Sequence, residues 1–203
     1  TYNVVIRDSL GCESSGTYYF REPEPLRVTL RKDSNASCFG KSDGGASVDS
    51  IFGGITPYTY LWSKGNQRRN GKTLSRVNAG LWSITVSDNN GCLSFDSIQI
   101  DEPYPISAKI EVLSPIVCYD SFGTALVSNV TGGTKKLTGT EYYYLWDGEM
   151  QHTGPKRDDL KAGSHDVQII DANNCSRSIK FSLSQPTPIS FTIDSTVNIR
   201  CFE

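Results

Sequence analysis

The stretch Gly53–Cys92, GGITPYTYLWSKGNQRRNGKTLSRVNAGLWSITVSDNNGC, decides the fold, because a degenerate copy of it returns at Gly132–Cys175. Both copies keep a Gly-Gly pair, an aromatic run that ends in Leu-Trp, an Ala-Gly before a strand-like segment, and a closing Asp, Asn and Cys. Self-similarity at a fixed spacing is the signature of repeated domains. A function must therefore be sought in the repeat before any single residue is considered.

Two strands are readable inside this stretch. Trp82, Ile84 and Val86 alternate with polar residues, which is the period of a half-buried strand. The aromatic run at 58–62 predicts a second strand, and its tryptophan is expected to fill the core of a sandwich. The polar text at 64–78 predicts a loop followed by a short edge strand.

Outward from this stretch, the alternation continues on both sides. Residues 26–30 predict strand A, and residues 46–48 predict strand B, with a bulge where the phase slips at Ser50-Ile51. The Glu102-Pro103 pair closes the unit, because proline cannot donate to a sheet ladder. One repeat is thus about 80 residues long by the spacing of its landmarks.

The chain is predicted to be all-β, with tandem immunoglobulin-like (PKD-like) β-sandwich domains that form an elongated array. No window shows helical spacing bounded by caps. We expect the end of a preceding repeat at 1–23, complete repeats at 24–103 and 104–187, and the start of a following repeat at 188–203.

Composition excludes several classes of function. The net charge is -2, with Lys+Arg 20 against Asp+Glu 22 scattered along the chain, so no basic stripe favours nucleic acid. No apolar run approaches the length of a membrane-spanning helix, so we expect no direct membrane insertion. With only two histidines and no CxxC, a zinc site is not expected, and neither is any other cofactor.

The six cysteines keep a fixed spacing. Cys12, Cys92 and Cys175 differ by 80 and 83, and Cys38, Cys118 and Cys201 differ by the same amounts. Cysteines so placed in a loop-rich β protein favour an oxidising, extracytoplasmic location.

Three pairing schemes are open. Pairing within a domain, Cys38 with Cys92 and Cys118 with Cys175, is favoured and requires that the A–B connection and the F–G turn share one end of a six-stranded sandwich. A seven-stranded sandwich puts them at opposite ends, too far apart for a disulfide, and Cys38 would instead bond Cys175 of the next domain. The third scheme pairs cysteines that lie 26 apart, such as Cys12 with Cys38.

The ordered landmarks resemble the SprB repeat, which recurs in long surface adhesins of gliding bacteria with a type IX secretion system. In the first repeat the resemblance rests on Cys38, the Gly53-Gly54 pair, the PYTYLW run at 57–62, the Ala79-Gly80 pair, and the text from Asp88 to Cys92 with the closing Glu-Pro. The second repeat departs from the pattern at His165 and at Glu141-Tyr142.

The resemblance implies an extracellular filament on the surface of a Gram-negative bacterium, carried along the cell by a motor and gripping the substratum. The partners it implies are neighbouring repeats, and surface polysaccharide or other surface proteins. We expect no catalysis. The alternative is a carbohydrate-binding module of a secreted multidomain protein, which would use the aromatic side chains of Tyr142, Tyr143 and Tyr144.

Single residues add little chemistry. His165 with Ser164 and Asp166 cannot form a triad, because neighbours in a strand point to opposite faces. His165 is read as a corner side chain in the place of Trp82. Calcium ligation by Asp43, Asp49 and Asp88 is disfavoured, because no DxDxDG run exists and Asp88 is explained as a turn residue.

Four Asp-Ser sites resemble the Asp-Ser/Thr-aliphatic acceptor that the same bacterial group uses for O-glycosylation. The acceptor hydroxyls would belong to Ser9, Ser50, Ser97 and Ser195.

Overall fold

The computed structural model describes residues 1–135, 142–149 and 153–196. They contain fifteen β-strands, and no helix is present among them. The strands are β1 (Tyr2–Arg7), β2 (Glu13–Tyr18), β3 (Arg27–Ser34), β4 (Gly44–Phe52), β5 (Thr59–Lys64), β6 (Gln67–Asn70), β7 (Thr73–Val77), β8 (Gly80–Ser87), β9 (Leu93–Ile100), β10 (Ser107–Ser114), β11 (Gly123–Thr131), β12 (Tyr143–Trp146), β13 (Lys156–Leu160), β14 (Gly163–Ile170) and β15 (Ser176–Leu183).

The chain divides into two compact units. The first comprises residues 1–36 and 40–101, and the second comprises residues 37–39 and 102–203. The short segment 37–39 thus lies before most of the first unit in sequence but belongs to the second in space. The predicted domain limits themselves stay predictions.

The first unit contains a seven-stranded sandwich. One sheet has the order β3-β4-β7 and the other the order β6-β5-β8-β9, with every pairing antiparallel. This is the arrangement of strands A, B and E against C′, C, F and G in immunoglobulin-like domains. The all-β, immunoglobulin-like prediction is confirmed. The polar segment predicted as a loop contains β6, whose four residues pair with β5 while all are exposed.

The core of this sandwich comes from alternate residues of both sheets. Trp62 and Trp82 are fully buried, and Val48 and Ile84 pack with them. The predicted bulge in strand B is present, because Leu30 pairs with Val48 while the preceding Thr29 pairs with Ser50. The extra residue lets Val48 and Ile51 both face the core, which a regular strand would forbid.

The second unit repeats this plan with sheets β10-β11-β13 and β12-β14-β15. Trp146 takes the place of Trp62 and is fully buried beside Val167 and Ile169. By sequence, the second repeat is also expected to carry an insertion in a surface loop around residues 135–140, and residues 136–140 lie outside the described part of the chain.

Strands β1 and β2 form a separate antiparallel hairpin in which all residues are exposed. The hairpin has the sequence of strands F and G, and these two strands alone have no opposing sheet on which to bury Val4 or Ile6.

Candidate functional site

The turn between strands F and G is built on one aspartate in each sandwich. In the second unit Asp171 is 1% exposed, and its Oδ1 accepts the backbone N–H groups of Asn173 and Cys175, both at 2.8 Å. Its Oδ2 accepts the N–H of Thr134 at 2.7 Å, which ties the turn to the B–C connection. The carboxylate thus satisfies three backbone donors that the turn would otherwise leave unpaired.

The first unit repeats this geometry at Asp88. Its Oδ2 accepts the N–H of Ile55 at 2.9 Å, and its Oδ1 accepts those of Asn90 and Cys92 at 2.9 and 2.8 Å. The Ile55 hydrogen bond, followed by those of Cys92 and Asn90, outweighs burial and holds the pKa of Asp88 below its ordinary value. The charged carboxylate is therefore the form that the folded turn selects, and this confirms its reading as a turn residue.

One disulfide joins the A–B connection of the first repeat to the F–G turn of the second. Cys38 and Cys175 are bonded with their Cα atoms 5.6 Å apart. Asn173 strengthens the same contact, because its Nδ2 donates to the carbonyl of Ser37 at 3.0 Å and to Thr134 Oγ1 at 3.1 Å. These contacts explain why segment 37–39 clusters with the second unit.

The favoured pairing within a domain, Cys38 with Cys92 and Cys118 with Cys175, is therefore wrong, and strand geometry gives the reason. The A–B connection is fixed to the far end of β9, where Ala36 N–H donates to the carbonyl of Asp101 at 2.9 Å. Cys92 immediately precedes β9. The eight residues of β9 put about 23 Å between its ends, whereas a disulfide needs Cα atoms within about 7 Å.

The scheme with a spacing of 26 is wrong for Cys38, which would have paired with Cys12. Cys12, Cys92 and Cys118 are exposed free thiols. Cys201 lies outside the described residues. The structure thus follows the seven-strand alternative, in which the bond leaves the domain.

A charged cluster unique to the second repeat surrounds Arg157. The guanidinium contacts the carboxylates of Asp147, Glu149 and Asp159 at 3.3, 2.9 and 2.7 Å, and its side chain is only 9% exposed. Burial alone would lower the pKa of Arg157, but the carboxylates, Asp159 foremost, outweigh it and raise the pKa. The cluster has the form of a structural ion-pair network with its charges mutually satisfied.

His165 belongs to this cluster and replaces Trp82 of the first repeat, as predicted for a corner side chain. The indole N–H of Trp82 donates to the carbonyl four residues earlier, that of Asn78, at 3.1 Å. His165 Nε2 makes the same contact with the carbonyl of Lys161 at 2.8 Å, while Nδ1 lies 2.9 Å from Asp147 Oδ2.

The acidic partner of His165, Asp147, lies directly after the neighbouring strand β12. Burial alone would raise the pKa of Asp147, but hydrogen bonds from the Asp166 N–H and the His165 ring, with the charge of Arg157, outweigh it and lower the pKa. Ser164 is exposed and is not among the groups that His165 contacts. The arrangement therefore holds a corner of the sandwich.

The three tyrosines proposed to contact glycans do not form a shared surface, and the prediction is wrong for Tyr142, which is buried. Tyr142 is 5% exposed, packs in the core, and donates its hydroxyl to the carbonyl of Gly132 at 2.7 Å. Tyr143 is 44% exposed, and Tyr144 packs partly buried against the core. Alternation along β12 separates these rings, so one tyrosine faces outward.

The predicted acceptor serines differ in accessibility. Ser9, Ser97 and Ser195 are exposed, in the β1–β2 turn, on β9 and in the segment after β15. Ser50 is half-buried within β4, and its hydroxyl is hydrogen-bonded to that of Thr29. Three of the four sites thus present a hydroxyl that an enzyme can reach, and glycosylation stays a prediction.

His152 of the sequence lies outside the described residues. Within the described ranges, no group of three or more His, Cys, Asp or Glu side chains is placed to hold a metal ion. No helix of sufficient length and apolarity to cross a membrane occurs in the part of the chain that the structure describes.

Sequence reasoning missed two parts of the site. Arg157 occupies the β13 position where β7 has the buried Leu74, as the pairing of each with an alanine of strand B shows. A polar residue in a core position of one repeat was the available signal. The role of Asn173 was also missed, because nothing in its sequence context indicates that its side chain would bind the segment around Ser37.

Comparison with known proteins supports the resemblance given above. Residues 34–67, from the end of β3 to the start of β6, match the family model described as the SprB repeat, which confirms the resemblance over that part of the first sandwich. Among curated proteins, none matches this chain.

Several solved structures align with this chain at low TM-score and low sequence identity. The C-terminal 282-residue fragment of intimin, solved with the intimin-binding domain of the translocated intimin receptor, aligns with a TM-score of 0.38 at 10% identity, over 77% of this chain and 64% of that one. The full ectodomain of mouse nectin-like molecule 4 gives 0.34 at 14% identity, over 84% and 67%. Murine CEACAM1b gives 0.30 at 12%, over 80% and 99%. The chain thus spans less than two thirds of the intimin fragment.

Together, the SprB repeat, the immunoglobulin-like fold and the disulfide support a structural segment of adhesin type at the cell surface, in an extracellular location.

Proposed function

We propose that this chain is a structural and adhesive segment of a long, repetitive cell-surface filament, a gliding-motility adhesin that contacts the substratum. The observation that carries the proposal is the Cys38–Cys175 bond, which joins the repeat that contains the SprB match covalently to the F–G turn of the repeat that follows it. A bond from one repeat to the next serves a protein whose repeats act together, and it needs the oxidising conditions found outside the cytoplasm. The filament would be exported from a Gram-negative cell by a type IX secretion system.

The surfaces of the two sandwiches favour a scaffold over an enzyme. The residues that the two repeats share form two buried cores and two aspartate-based turns, and the disulfide links the repeats. The charge of Arg157 is balanced by the carboxylates around it. The exposed faces would then make the adhesive contacts, and repetition of the domain would raise the avidity of contacts that are individually weak. The elongated array, its polysaccharide or protein target and its neighbouring repeats belong to this proposal.

The test uses Fab fragments raised against the full chain, applied to live cells of the bacterium that encodes it. We expect label on intact cells, label that travels along the cell body, and reduced attachment of cells to glass. Fab against an unrelated surface protein is the control. Label that appears only after the cells are permeabilised would overturn the surface location, and static label with unchanged attachment would overturn the gliding and adhesive role.

The carbohydrate-binding alternative keeps one exposed ring. It predicts that Tyr143→Ala abolishes binding of the full chain to a glycan array, whereas Leu145→Ala on the same strand does not. An array without binding by the unaltered chain removes this alternative and leaves the adhesive filament untouched.

A further inference from the structure

The described cysteines occupy two kinds of position in the repeat. Cys38 and Cys118 lie in the connections between strands A and B, and Cys92 and Cys175 close the F–G turns. The one bond among the described residues joins the first kind of position to the second, from one repeat to the repeat that follows it. Within either sandwich the two kinds of position lie at opposite ends. In the second, the N–H of Asp120 donates to Gln185 Oε1 at 2.9 Å, so the A–B connection adjoins the far end of β15.

The unbonded F–G turn of the first unit is already shaped like the bonded one. Asp88 holds the same three kinds of backbone N–H group as Asp171, and Asn90 stands where Asn173 donates to the carbonyl of Ser37. A cavity of about 260 Å³ lies beside the exposed Cys92 and is lined in part by Asn90. The bonded Cys175 is only 9% exposed. The turn therefore carries, before bonding, the groups that receive an A–B segment in the second unit.

The unbonded A–B connection of the second unit presents an apolar surface around its thiol. Cys118 is exposed between Val117 and Tyr119, whose side chains are 73% and 54% exposed. A cavity of about 390 Å³ adjoins the three residues and continues to Pro188 and Ile189. The segment is held in place, because the Ser121 N–H and hydroxyl both donate to the Cys118 carbonyl, at 3.2 and 2.9 Å. A fixed thiol amid uncovered apolar side chains fits a partner that buries it.

We propose that Cys118 forms a disulfide with the F–G-turn cysteine of the repeat that follows in the same chain, and that Cys92 forms one with the A–B cysteine of the repeat before. Each bond would repeat the Cys38–Cys175 connection, so that every repeat is bonded to the next and none is closed on itself. This inference rests on the proposed filament of tandem repeats, and it adds a covalent partner for each exposed thiol.

The chemistry is thiol–disulfide exchange with an oxidised dithiol protein. The thiolate of one cysteine attacks the donor disulfide and forms a mixed disulfide, and the donor's other sulfur leaves as a thiolate. The second cysteine, as thiolate, then attacks the sulfur of the first and expels the donor. The two cysteines lose two protons and two electrons in total, and the donor takes up both electrons and leaves as a dithiol.

The test uses a tandem chain in which residues 1–187 are followed directly by residues 24–203. Cys12→Ser and Cys92→Ser in the first copy, with Cys118→Ser and Cys201→Ser in the second, leave Cys118 of the first copy and Cys92 of the second as the two cysteines outside the Cys38–Cys175 bonds. Trypsin cuts after Lys and Arg, so the two cysteines lie in different peptides, 110–135 and 77–109. After folding in a glutathione buffer with a disulfide isomerase, we expect these two peptides to be joined, in a chain that runs as a monomer on a non-reducing gel.

A matched control moves the second cysteine. With Cys92 kept in the first copy and Cys92→Ser in the second, the only F–G thiol available to Cys118 lies in a repeat that precedes it, and both thiols should remain open to alkylation. Free thiols in the test chain, a joined pair in the control, or a disulfide-linked dimer between chains would each overturn the inference. Each of these outcomes leaves the Fab test of the proposed function unaffected.

Discussion

Replacing Cys175 by serine should destabilise the second unit far more than the same change at Cys92. The Cys38–Cys175 bond spans 137 residues, which corresponds to about 5 kcal/mol in the chain-entropy description of a cross-link. If the first unit stays folded, only the chain from 102 to 174 is closed by the bond, and the same relation gives about 4 kcal/mol. We therefore expect a loss of about 4–5 kcal/mol in the free energy of unfolding.

The assay is hydrogen exchange in rising urea, read by mass spectrometry on peptides from β8 and β14, because these report the two units separately. With a urea dependence of about 1.5 kcal/mol/M for a unit of this size, the midpoint of the second unit should fall by about 3 M. Cys92→Ser makes the same chemical change in the equivalent turn without removing a bond, and should shift either unit by less than about 0.5 kcal/mol.

Reduction supplies an internal check. Dithiothreitol should bring the unaltered chain to the stability of the Cys175→Ser variant and leave that variant unmoved. The reasoning would be refuted if Cys92→Ser destabilised the first unit by several kcal/mol, since that is the result of a bond from Cys38 to Cys92. An unchanged midpoint in Cys175→Ser would refute it equally.

Four further changes test other contacts. Asp171→Ala leaves three backbone N–H groups unpaired and should cost the second unit about 2–4 kcal/mol in urea denaturation. Folding lowers the pKa of Asp88, so the stabilisation that its carboxylate contributes is complete above the ordinary value of 3.8 and is lost as pH falls through the folded-state pKa. The thermal midpoint should therefore fall on acidification, and it should fall less in Asp88→Asn. Gly132→Ala, at φ +79°, places a methyl group against the carbonyl of Pro105, whereas Gly148→Ala, at φ +76°, places one in open space. Thermal melts should therefore show a much larger drop in melting temperature for Gly132→Ala, and equal drops would contradict the steric argument. Arg157→Ala should cost about 1–3 kcal/mol, and Arg157→Leu, the residue type of the first repeat, should cost less by the same measurement.

The strands were predictable because their evidence is local. Alternation of large apolar residues fixes which face of a strand is buried, and Trp62 and Trp82 lie in the core as that pattern requires. The bulge in strand B was likewise visible as a slip of phase. Strand β6 was not predicted, because Gln67–Asn70 is polar on both faces and is held by its pairing with β5 alone.

The cysteine pairing could not be read from the spacing, because it depends on the number of strands between two loops. In the first repeat one short exposed strand, β6, changes that number from six to seven and moves Cys92 to the other end of the sandwich from Cys38. The burial of Tyr142 was missed because the proline that precedes its equivalent in the first repeat, Tyr58, is absent from the second repeat. The environment of Tyr58 was nevertheless the guide, since its hydroxyl donates to the carbonyl of Gly53 at 2.8 Å.

A chain pulled by its two ends transmits tension along the shortest covalent route. The bond between Cys38 and Cys175 lets that route bypass residues 39–174, so both sandwiches from β4 to β14 carry no load while the sulfur atoms stay joined. The bypassed stretch has 136 residues, one fewer than the separation of 137, and would add a contour length of about 450–490 Å if it were pulled straight. The extensibility of the stretch between the two cysteines is therefore set by the redox state of its surroundings rather than by the free energy of its folds.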